Sequence, residues 1–235
     1  KICENAFFNC RYLRKVEIPE NSNLQTIEKN AFSSIFIEEI YFPKSLIELQ
    51  NGWCFDTFSL KKIIISQSNT QFIFKDEKYL LGKSNSNNDE FDILLFVRHG
   101  FDKISIPTNI TKICENAFFY YKELRKVVIP SNSNLKTIEK CAFSCSKIEE
   151  IFIPASVTKI CKKAFYKCEN LRKVEIPSNS NLQIIENDAF SCLKIEEISI
   201  PASVTEICDN AFFNCRNLRK VEIPTNSNLQ TIGSN

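Results

Sequence analysis

The hydrophobic residues of this chain follow one short pattern that returns along its whole length. In the phrase LRKVEIP, at residues 171–177, apolar Val174 and Ile176 lie two positions apart. The charged Lys173 and Glu175 alternate with them. This period of two predicts a β-strand with one buried face. Proline ends the strand, because it cannot donate to a strand ladder and disfavours a helical conformation in the residue before it.

The prolines measure the length of the repeat. All eight follow Ile or Phe, and successive prolines are 23 or 24 residues apart, except for one interval of 64 residues. That interval contains one more copy, KKIIIS at 61–66, with Ser66 at the proline position. We therefore predict about nine repeats, which alternate between 23 and 24 residues. The unit at 67–107 has 41 residues, 17 more than its 24-residue counterparts, so it contains an insertion.

The rest of each unit predicts a second short extended segment and a compact turn. VTKI, at 157–160, is typical of the extended segment. KKAFYKC, at 162–168, is typical of the turn, which we expect to be helical or irregular, with Phe165 pointing inward. The dipeptide Ala-Phe marks this turn in most units, with Cys54-Phe55 as a variant. Since no unit can bury its apolar residues alone, neighbouring units must stack into one continuous core.

The charge balance excludes partners that recognise a strong field. Thirty Lys and Arg residues against 28 Asp and Glu residues leave a formal charge of +2, so we expect no attraction to nucleic acid or to an acidic membrane surface. The longest clean apolar run, ILLFV at 93–97, is too short to span a bilayer. The chain begins at Lys1 and contains no methionine. We therefore expect the array to continue past both ends, and the end coils of the isolated segment to favour self-association.

Charged residues alternate on the exposed face of the predicted strands. The 23-residue units carry Arg-Lys, and the 24-residue units carry Glu-Glu at the aligned positions. In parallel strands about 4.8 Å apart, basic and acidic pairs would be neighbours. This ladder is either a structural set of ion pairs or a charge code for a ligand. The candidates for partner contact on this face are Lys15, Glu17, Glu39, Tyr41, Lys126, Lys173, Glu175, Glu197 and Lys220.

Neither a metal site nor a catalytic site is predicted. The eleven cysteines form no CxxC pair and His99 is the sole histidine, so the signal for a zinc site is weak. No motif surrounds His99, so a structural role is favoured over that of a catalytic base. We expect no cofactor. The cysteines are either free thiols that fill ladder positions or include one or two bridges between units. Cys145 with Cys168, and Cys192 with Cys215, are the pairs that the repeat alignment brings near each other.

The insertion predicts a β-hairpin at about residues 72–97. Its strands are FIFKDEKYLLGKS at 72–84 and FDILLFV at 91–97, joined by a polar loop at 85–90. The insertion either packs on the array or supplies a compact aromatic contact for a partner. Its candidate contact residues are Phe72, Phe74 and Tyr79.

The combined pattern LxxVxIPxxVTxICxxAFxxC resembles the BspA-like, or Treponema-type, leucine-rich repeats of surface proteins from mucosal bacteria and protist parasites. The resemblance covers nearly the whole chain. It implies a right-handed horseshoe solenoid with a parallel sheet on the concave face and short strands or helical turns on the convex side. One departure is cysteine where the family commonly has glycine, at Cys3, Cys114, Cys161 and Cys208.

The resemblance also implies a function in host–parasite interaction. We expect a non-catalytic adhesion module, at the cell surface or outside the cell, which binds a host cell-surface or extracellular-matrix protein. The alternative is an intracellular leucine-rich repeat scaffold for protein–protein interaction in the cytoplasm. Many reduced cysteines favour that alternative, because free thiols are unusual in an oxidising compartment.

Overall fold

The computed structural model describes residues 1–85, 87 and 89–234. The chain forms two compact units, Lys1–His99 with Glu115–Ala117, and Gly100–Cys114 with Phe118–Asn235, which we call the N-terminal and C-terminal units. The described residues contain strands and turns but no helix. Their strands are, in chain order, β1 (Thr26–Ile27), β2 (Glu39–Phe42), β3 (Glu48–Leu49), β4 (Lys62–Ile65), β5 (Phe72–Lys75), β6 (Tyr79–Gly82), β7 (Ile93–Val97), β8 (Lys103–Ser105), β9 (Lys112–Ile113), β10 (Lys126–Val128), β11 (Thr137–Ile138), β12 (Glu150–Phe152), β13 (Lys159–Ile160), β14 (Lys173–Glu175), β15 (Ile184–Ile185), β16 (Glu197–Ser199), β17 (Glu206–Ile207), β18 (Lys220–Glu222) and β19 (Thr231–Ile232).

The predicted half-buried strands are present in both units, and we call them the sheet strands. In the N-terminal unit, β2 pairs in parallel with β4. In the C-terminal unit, β8, β10, β12 and β14 form one parallel ladder, and β16 pairs with β18. Equivalent positions of the repeat oppose each other, as do the buried Ile151 and Val174. The prediction of parallel strands is therefore confirmed.

The second extended segment of each repeat is a strand of only two residues. In the N-terminal unit, β1 pairs in parallel with β3. In the C-terminal unit, the odd-numbered strands from β9 to β19 form a second parallel ladder, in which the fully buried Ile138 and Ile160 oppose each other. Two ladders per repeat make each repeat one coil of a β-solenoid, and there are about nine coils.

The prediction of helical turns is wrong for the described residues. In the turn of residues 163–167, Lys163 and Lys167 have φ values of 60° and 55°, which lie in the left-handed region and interrupt a right-handed helix. The amides of Lys163, Phe165 and Lys167 instead donate to carbonyl oxygens of the next coil, over 2.8 to 3.0 Å. The backbone donors are used between coils rather than within a helix. Left-handed residues occupy the same two positions in the other turns as Asn5 and Asn9, Asn30 and Ser34, Gly52 and Asp56, Asn116 and Tyr120, Cys141 and Cys145, Asp188 and Cys192, and Asn210 and Asn214.

The phenylalanine of each Ala-Phe dipeptide points into the core, as expected for Phe165. In the C-terminal unit these rings form a column with 4.6 to 5.5 Å between neighbouring centroids and ring planes within 11° of parallel. The column consists of Phe118, Phe143, Phe165, Phe190 and Phe212. Stacking therefore repeats along the core in step with the coils.

Trp53 and Cys54 occupy the two Ala-Phe positions of their turn in the reverse order of size, with the large residue first and the small residue second. The amide of Phe32 donates to the carbonyl of Trp53 over 2.8 Å, which is the bond that this position makes with alanine in the other repeats. Cys54 thus occupies the phenylalanine position, and the sequence alignment of Cys54-Phe55 with Ala-Phe was one residue out of register. The buried indole packs edge-on against Phe42, with 5.5 Å between ring centroids. The large and small residues have changed places, which conserves core volume.

The insertion is a three-stranded antiparallel meander in the N-terminal unit. β5 pairs with β6, and β6 pairs with β7. Asp76 and Glu77, with φ values of 54° and 51°, form a tight turn between β5 and β6. Two left-handed central residues are the signature of a type I′ turn. The expected first strand, residues 72–84, is therefore two strands, and Ser86 and Asn88 of the expected loop lie outside the described residues.

Candidate partner-binding face

The exposed side of the sheet strands, which we call the strand face, is the candidate site. Each strand places one side chain on this face before its inward-facing central residue and one after it, because neighbouring side chains point to opposite sides. In the C-terminal unit the residues before it are Lys103, Lys126, Glu150, Lys173, Glu197 and Lys220, and those after it are Ser105, Val128, Phe152, Glu175, Ser199 and Glu222. The expected contact residues Lys126, Lys173, Glu175, Glu197 and Lys220 are all exposed here. In the N-terminal unit, Lys15, Glu17 and Glu39 are exposed, and Tyr41 is half-buried.

Ion pairs join neighbouring sheet strands where the repeat alignment placed opposite charges. Lys62 and Glu39 are 2.9 Å apart in the N-terminal unit. In the C-terminal unit the Lys126 ammonium donates to Glu150, and this hydrogen bond lowers the pKa of that carboxyl. Exposed pairs of this kind contribute at most about 1 kcal/mol each, but their alternation disfavours a slip by one coil, which would oppose like charges.

The charge alternation has one exception. Lys103 of β8 lies directly opposite Lys126 of β10, because the unit that contains the insertion ends in Asp102-Lys103 instead of Glu-Glu. Lys126 therefore has a like charge on one side and Glu150 on the other. Like charges directly opposite each other destabilise a sheet.

Some strand-face charges pair within their own strand. The Lys173 ammonium lies 3.0 Å from the Glu175 carboxylate, and this hydrogen bond raises the pKa of the lysine. Lys220 and Glu222 repeat the arrangement two coils further on, and the pKa of Glu222 is lowered chiefly by its hydrogen bond from Lys220. These groups are exposed, so solvent and salt screen their interactions.

An apolar patch interrupts the charges at β10 and β12. Val128 and Phe152 are half-buried and line one cavity of about 360 Å³, whose charged rim includes Lys126, Glu150 and Lys173. Sequence reasoning missed this patch. The signal was present, because RKVVIP at 125–130 and EEIFIP at 149–154 carry Val and Phe where the other copies in the C-terminal unit carry Glu or Ser.

A second groove, of about 740 Å³, lies over β14, β16 and β18. Its lining includes Glu196 and Glu197, with Arg172 and Arg219 in the neighbouring coils. Within the described part of the chain these four side chains form no ion pair. The groove therefore offers acidic and basic groups side by side for hydrogen bonds to a partner.

The aromatic residues of the insertion do not form an exposed cluster. Phe72 and Tyr79 are each only 6% exposed, so in this conformation their side chains belong to the core, and the expectation that they contact a partner stays a prediction. Phe72 packs against Phe42 with 6.1 Å between ring centroids. Phe74 is half-buried and packs against the same core. The period of two in the sequence correctly predicted that buried and exposed side chains alternate along these strands. It could not show which of the two faces of the meander is buried.

The structure contains eleven free cysteines and no disulfide. The two pairs that the repeat alignment brought together, Cys145 with Cys168 and Cys192 with Cys215, are not bridged. Burial raises the pKa of the Cys168 thiol to about 12 and that of the Cys161 thiol to about 11. Thiols with such raised pKa values are weak nucleophiles and weak metal ligands near neutral pH.

The described residues offer no centre for a metal ion. Among residues 1–85, 87 and 89–234 there is no group of three His, Cys, Asp or Glu side chains arranged to hold one. A search of the same residues for a helix long and apolar enough to cross a membrane found none.

Comparison with known proteins agrees with this architecture. Residues 1–79, 94–219 and 183–235 match the model of the BspA type leucine rich repeat region, in six copies. The crystal structure of a leucine rich cell surface protein from Faecalibacterium prausnitzii is similar with a TM-score of 0.78 and 25% identity, over 94% of this chain and 56% of that one. The pneumococcal vaccine antigen PcpA is similar with a TM-score of 0.65 and 20% identity, over 95% of this chain and 48% of that one. A search of curated proteins found no significant match.

Repeated parallel strands, in-register coils and a stacked aromatic core define a leucine-rich repeat solenoid. Proteins of this class generally serve as non-enzymatic scaffolds that bind other proteins. The chain belongs to the BspA type leucine-rich repeat family. It spans about half the length of the two similar structures.

Proposed function

We propose that the chain is a non-catalytic adhesion module of a microbial or protist cell-surface protein and that it binds a host cell-surface or extracellular-matrix protein. Membership of the BspA type family supports this proposal. So does the similarity to a bacterial protein described as a leucine rich cell surface protein. The observation that carries the binding proposal is the apolar patch of Val128 and Phe152 on the strand face.

The patch has the composition of a small binding centre. Protein interfaces commonly place an aromatic anchor at the centre and charged or polar groups at a solvated rim. Phe152 supplies the anchor, and the Lys126–Glu150 ion pair lies on the rim. Because the rim charges are balanced, long-range steering is weak and affinity depends on short contacts. A repetitive strand face adds avidity when a partner reaches several coils.

The test is the Phe152→Ser variant. Serine occupies the same position in β8 and β16, as Ser105 and Ser199, so the coil accepts it. We expect binding to intact epithelial cells and to immobilised matrix proteins to weaken about tenfold, because a central aromatic anchor is lost. Phe36→Ser is the matched control, since Phe36 is 49% exposed and does not belong to the strand face. Equal binding by the Phe152→Ser variant and the parent, with unchanged circular dichroism, would exclude the patch as the site.

The second candidate function is an intracellular scaffold for protein–protein interaction. The eleven free cysteines favour it, since an oxidising compartment seldom leaves so many thiols unpaired. Labelling of intact cells with a membrane-impermeant reagent separates the two candidates. A labelled protein supports the adhesion module, whereas labelling only after permeabilisation supports the scaffold.

A further inference from the structure

The turns of the C-terminal unit carry a row of aromatic side chains, which we call the ring row. It consists of Phe119, Tyr166 and Phe213, each directly after the inward-facing phenylalanine of a 23-residue unit. The 24-residue units have Ser144 and Ser191 at the same position. The serines are 2% and 0% exposed, whereas the rings are partly exposed, to 50% at Phe213.

Backbone hydrogen bonds hold these positions in one line. The Lys167 amide donates to the Ser191 carbonyl over 3.0 Å, and the Cys192 amide donates to the Phe213 carbonyl over 2.8 Å. Each of these bonds joins two neighbouring coils. The ring centroids of the inner phenylalanine column are 4.6 to 5.5 Å apart from one coil to the next. Successive members of the ring row are two coils apart, or about 10 Å. The coil between them carries a small buried serine at this position.

Lysine ammonium groups lie over two of the tyrosine rings. The ammonium groups of Lys163 and Lys167 are each 5.2 Å from the ring centroid of Tyr166, and the Tyr166 hydrogen bond raises the pKa of Lys167. One ring further along, the Lys122 ammonium is 4.7 Å from the ring of Tyr120, which stacks on Phe119. The left-handed backbone at residues 163 and 167 places both lysines next to the ring.

These lysines differ from the lysines of the strand face, because no carboxylate neutralises them. Within the described part of the chain, Lys122, Lys163 and Lys167 form no ion pair. Among nearby carboxylates, Glu186 already accepts from Lys159 over 2.6 Å. Asp188 occupies the position of Lys163 one coil away. The part of the ring row around Tyr166 is thus locally basic, on a chain whose formal charge is only +2.

We propose that the ring row and its lysines bind a linear acidic polysaccharide. Aromatic rings attract the C–H groups of sugar rings through the negative charge of their faces, and the free ammonium groups pair with carboxylate or sulfate groups. The rings are two coils apart, so they match a linear ligand in which every second sugar turns the same face towards the protein. This site is separate from the strand face and takes a different class of ligand from the protein partner proposed above.

Single-stranded nucleic acid fits this surface less well. Proteins bind single strands through a positively charged groove that follows the phosphate backbone, which requires basic groups along the whole row. Here Lys163 and Lys167 share one coil, while Cys145 and Cys192 occupy the position of Lys167 in the coils on either side. The turns two coils away carry Asn116 and Tyr120, or Asn210 and Asn214, at these positions, so the lysine pair is confined to the coil of Tyr166. An acidic polysaccharide with one charge per disaccharide is charged sparsely enough to be held by such a local pair.

Binding of fluorescent hyaluronate oligosaccharides to the full chain tests the proposal. In the Lys163→Asn, Lys167→Asn double variant we expect about tenfold weaker binding, because two charge-assisted contacts are lost. Asparagine is the residue of a later coil at both positions, as Asn210 and Asn214, and tolerates the left-handed backbone. Tyr166→Ser should weaken binding similarly, whereas Tyr166→Phe retains the ring and should bind within about twofold.

The control removes the same charge from the strand face, in the double variant Lys126→Gln, Lys173→Gln. The proposal requires this control to bind hyaluronate as the parent does and requires neutral dextran not to compete. Undetectable hyaluronate binding, an equal loss in the strand-face control, or a tighter complex with a single-stranded oligonucleotide each overturns it. Circular dichroism and thermal unfolding of every variant exclude loss of fold as the cause.

Discussion

The thiol of Cys168 donates a hydrogen bond to the carbonyl oxygen of Phe143 in the preceding coil, with 3.0 Å between sulfur and oxygen. Cys215 makes the equivalent contact over 3.1 Å. At the same position of an earlier repeat, Thr57 donates through its hydroxyl over 2.6 Å. In these three repeats the position supplies a donor to the preceding coil, and cysteine fills it without an oxidised partner.

The hydrogen bond of Cys168 predicts different effects on stability for its substitution by threonine and by valine, which are nearly equal in size. Cys168→Thr retains a donor, so we expect a free energy of unfolding within about 1 kcal/mol of the parent. Cys168→Val removes the donor and should be about 1 kcal/mol less stable than Cys168→Thr. Urea unfolding in the presence of reductant, followed by circular dichroism, measures the difference. Equal stability of the two variants would show that the thiol contributes only volume.

The buried thiols also predict a loss of stability at alkaline pH. Burial raises the pKa of Cys114 and that of Cys168 to about 12, whereas a thiol of the unfolded chain titrates near 8.5. Below that pH both states are protonated and the full stability is present. As pH rises towards 12 the unfolded state ionises first, so stability falls by about 1.4 kcal/mol per pH unit and thiol.

The Cys168→Thr variant isolates one of these thiols. Between pH 7.5 and pH 10.5, its free energy of unfolding should fall less than that of the parent, by about 2 to 3 kcal/mol. Tyrosine and lysine residues titrate in both proteins and cancel in this comparison. Parallel pH dependences of the two proteins would contradict a strongly raised pKa at Cys168.

The sheet strands could be predicted from the sequence because their determinants are local. Val174 and Ile176 alternate with charged residues, and copies of that phrase at a fixed interval align in register when the coils stack. The same logic located the charged candidates on the strand face. Phe152 was missed because its strand still alternates, and only comparison with the serine or glutamate of the other strands in the C-terminal unit marks it as unusual.

The turns could not be predicted, because hydrogen bonds between coils determine their conformation. KKAFYKC contains neither glycine nor asparagine, the residues that usually indicate a left-handed backbone. Lys163 and Lys167 adopt it nevertheless, since the amides of this turn donate to the next coil. The exchange at Trp53 and Cys54 was missed for a similar reason, as their sizes differ from those of Ala-Phe while their backbone contacts agree.

The like-charge pair of Lys103 and Lys126 predicts a stabilising substitution. Lys103→Glu would give Lys126 an acidic neighbour on both sides, so we expect a gain of a few tenths to about 1 kcal/mol at low salt. The gain should shrink in about 0.5 M salt, because added ions screen exposed charges. Thermal unfolding at both salt concentrations measures it.

Lys173→Glu is the control for that substitution. It opposes Glu150 and removes the contact with Glu175, so it should destabilise the protein at low salt. A gain in stability from both substitutions, or a loss from both, would show that net charge rather than the neighbouring strand determines the effect.

The meander predicts opposite outcomes for two adjacent residues. Phe72 is 6% exposed and packs against Phe42, whereas Ile73 is 39% exposed. Phe72→Ala should lower the free energy of unfolding by about 3 to 5 kcal/mol, because it leaves a cavity in the core of the N-terminal unit. Ile73→Ser should cost less than about 1 kcal/mol. The fluorescence of Trp53, the sole tryptophan, reports on this core, since its ring is 6.5 Å from that of Phe96 in β7.

These two variants also separate folding from partner binding in the meander. Because Phe96 and Phe72 contribute to the core, deletion of residues 72–97 would remove core side chains together with any contact surface. Ile73→Ser changes the exposed side of β5 alone, so a loss of partner binding in this variant would identify the meander as a second contact region. Unchanged binding, together with the large loss of stability in Phe72→Ala, would show that the insertion serves the fold of the N-terminal unit.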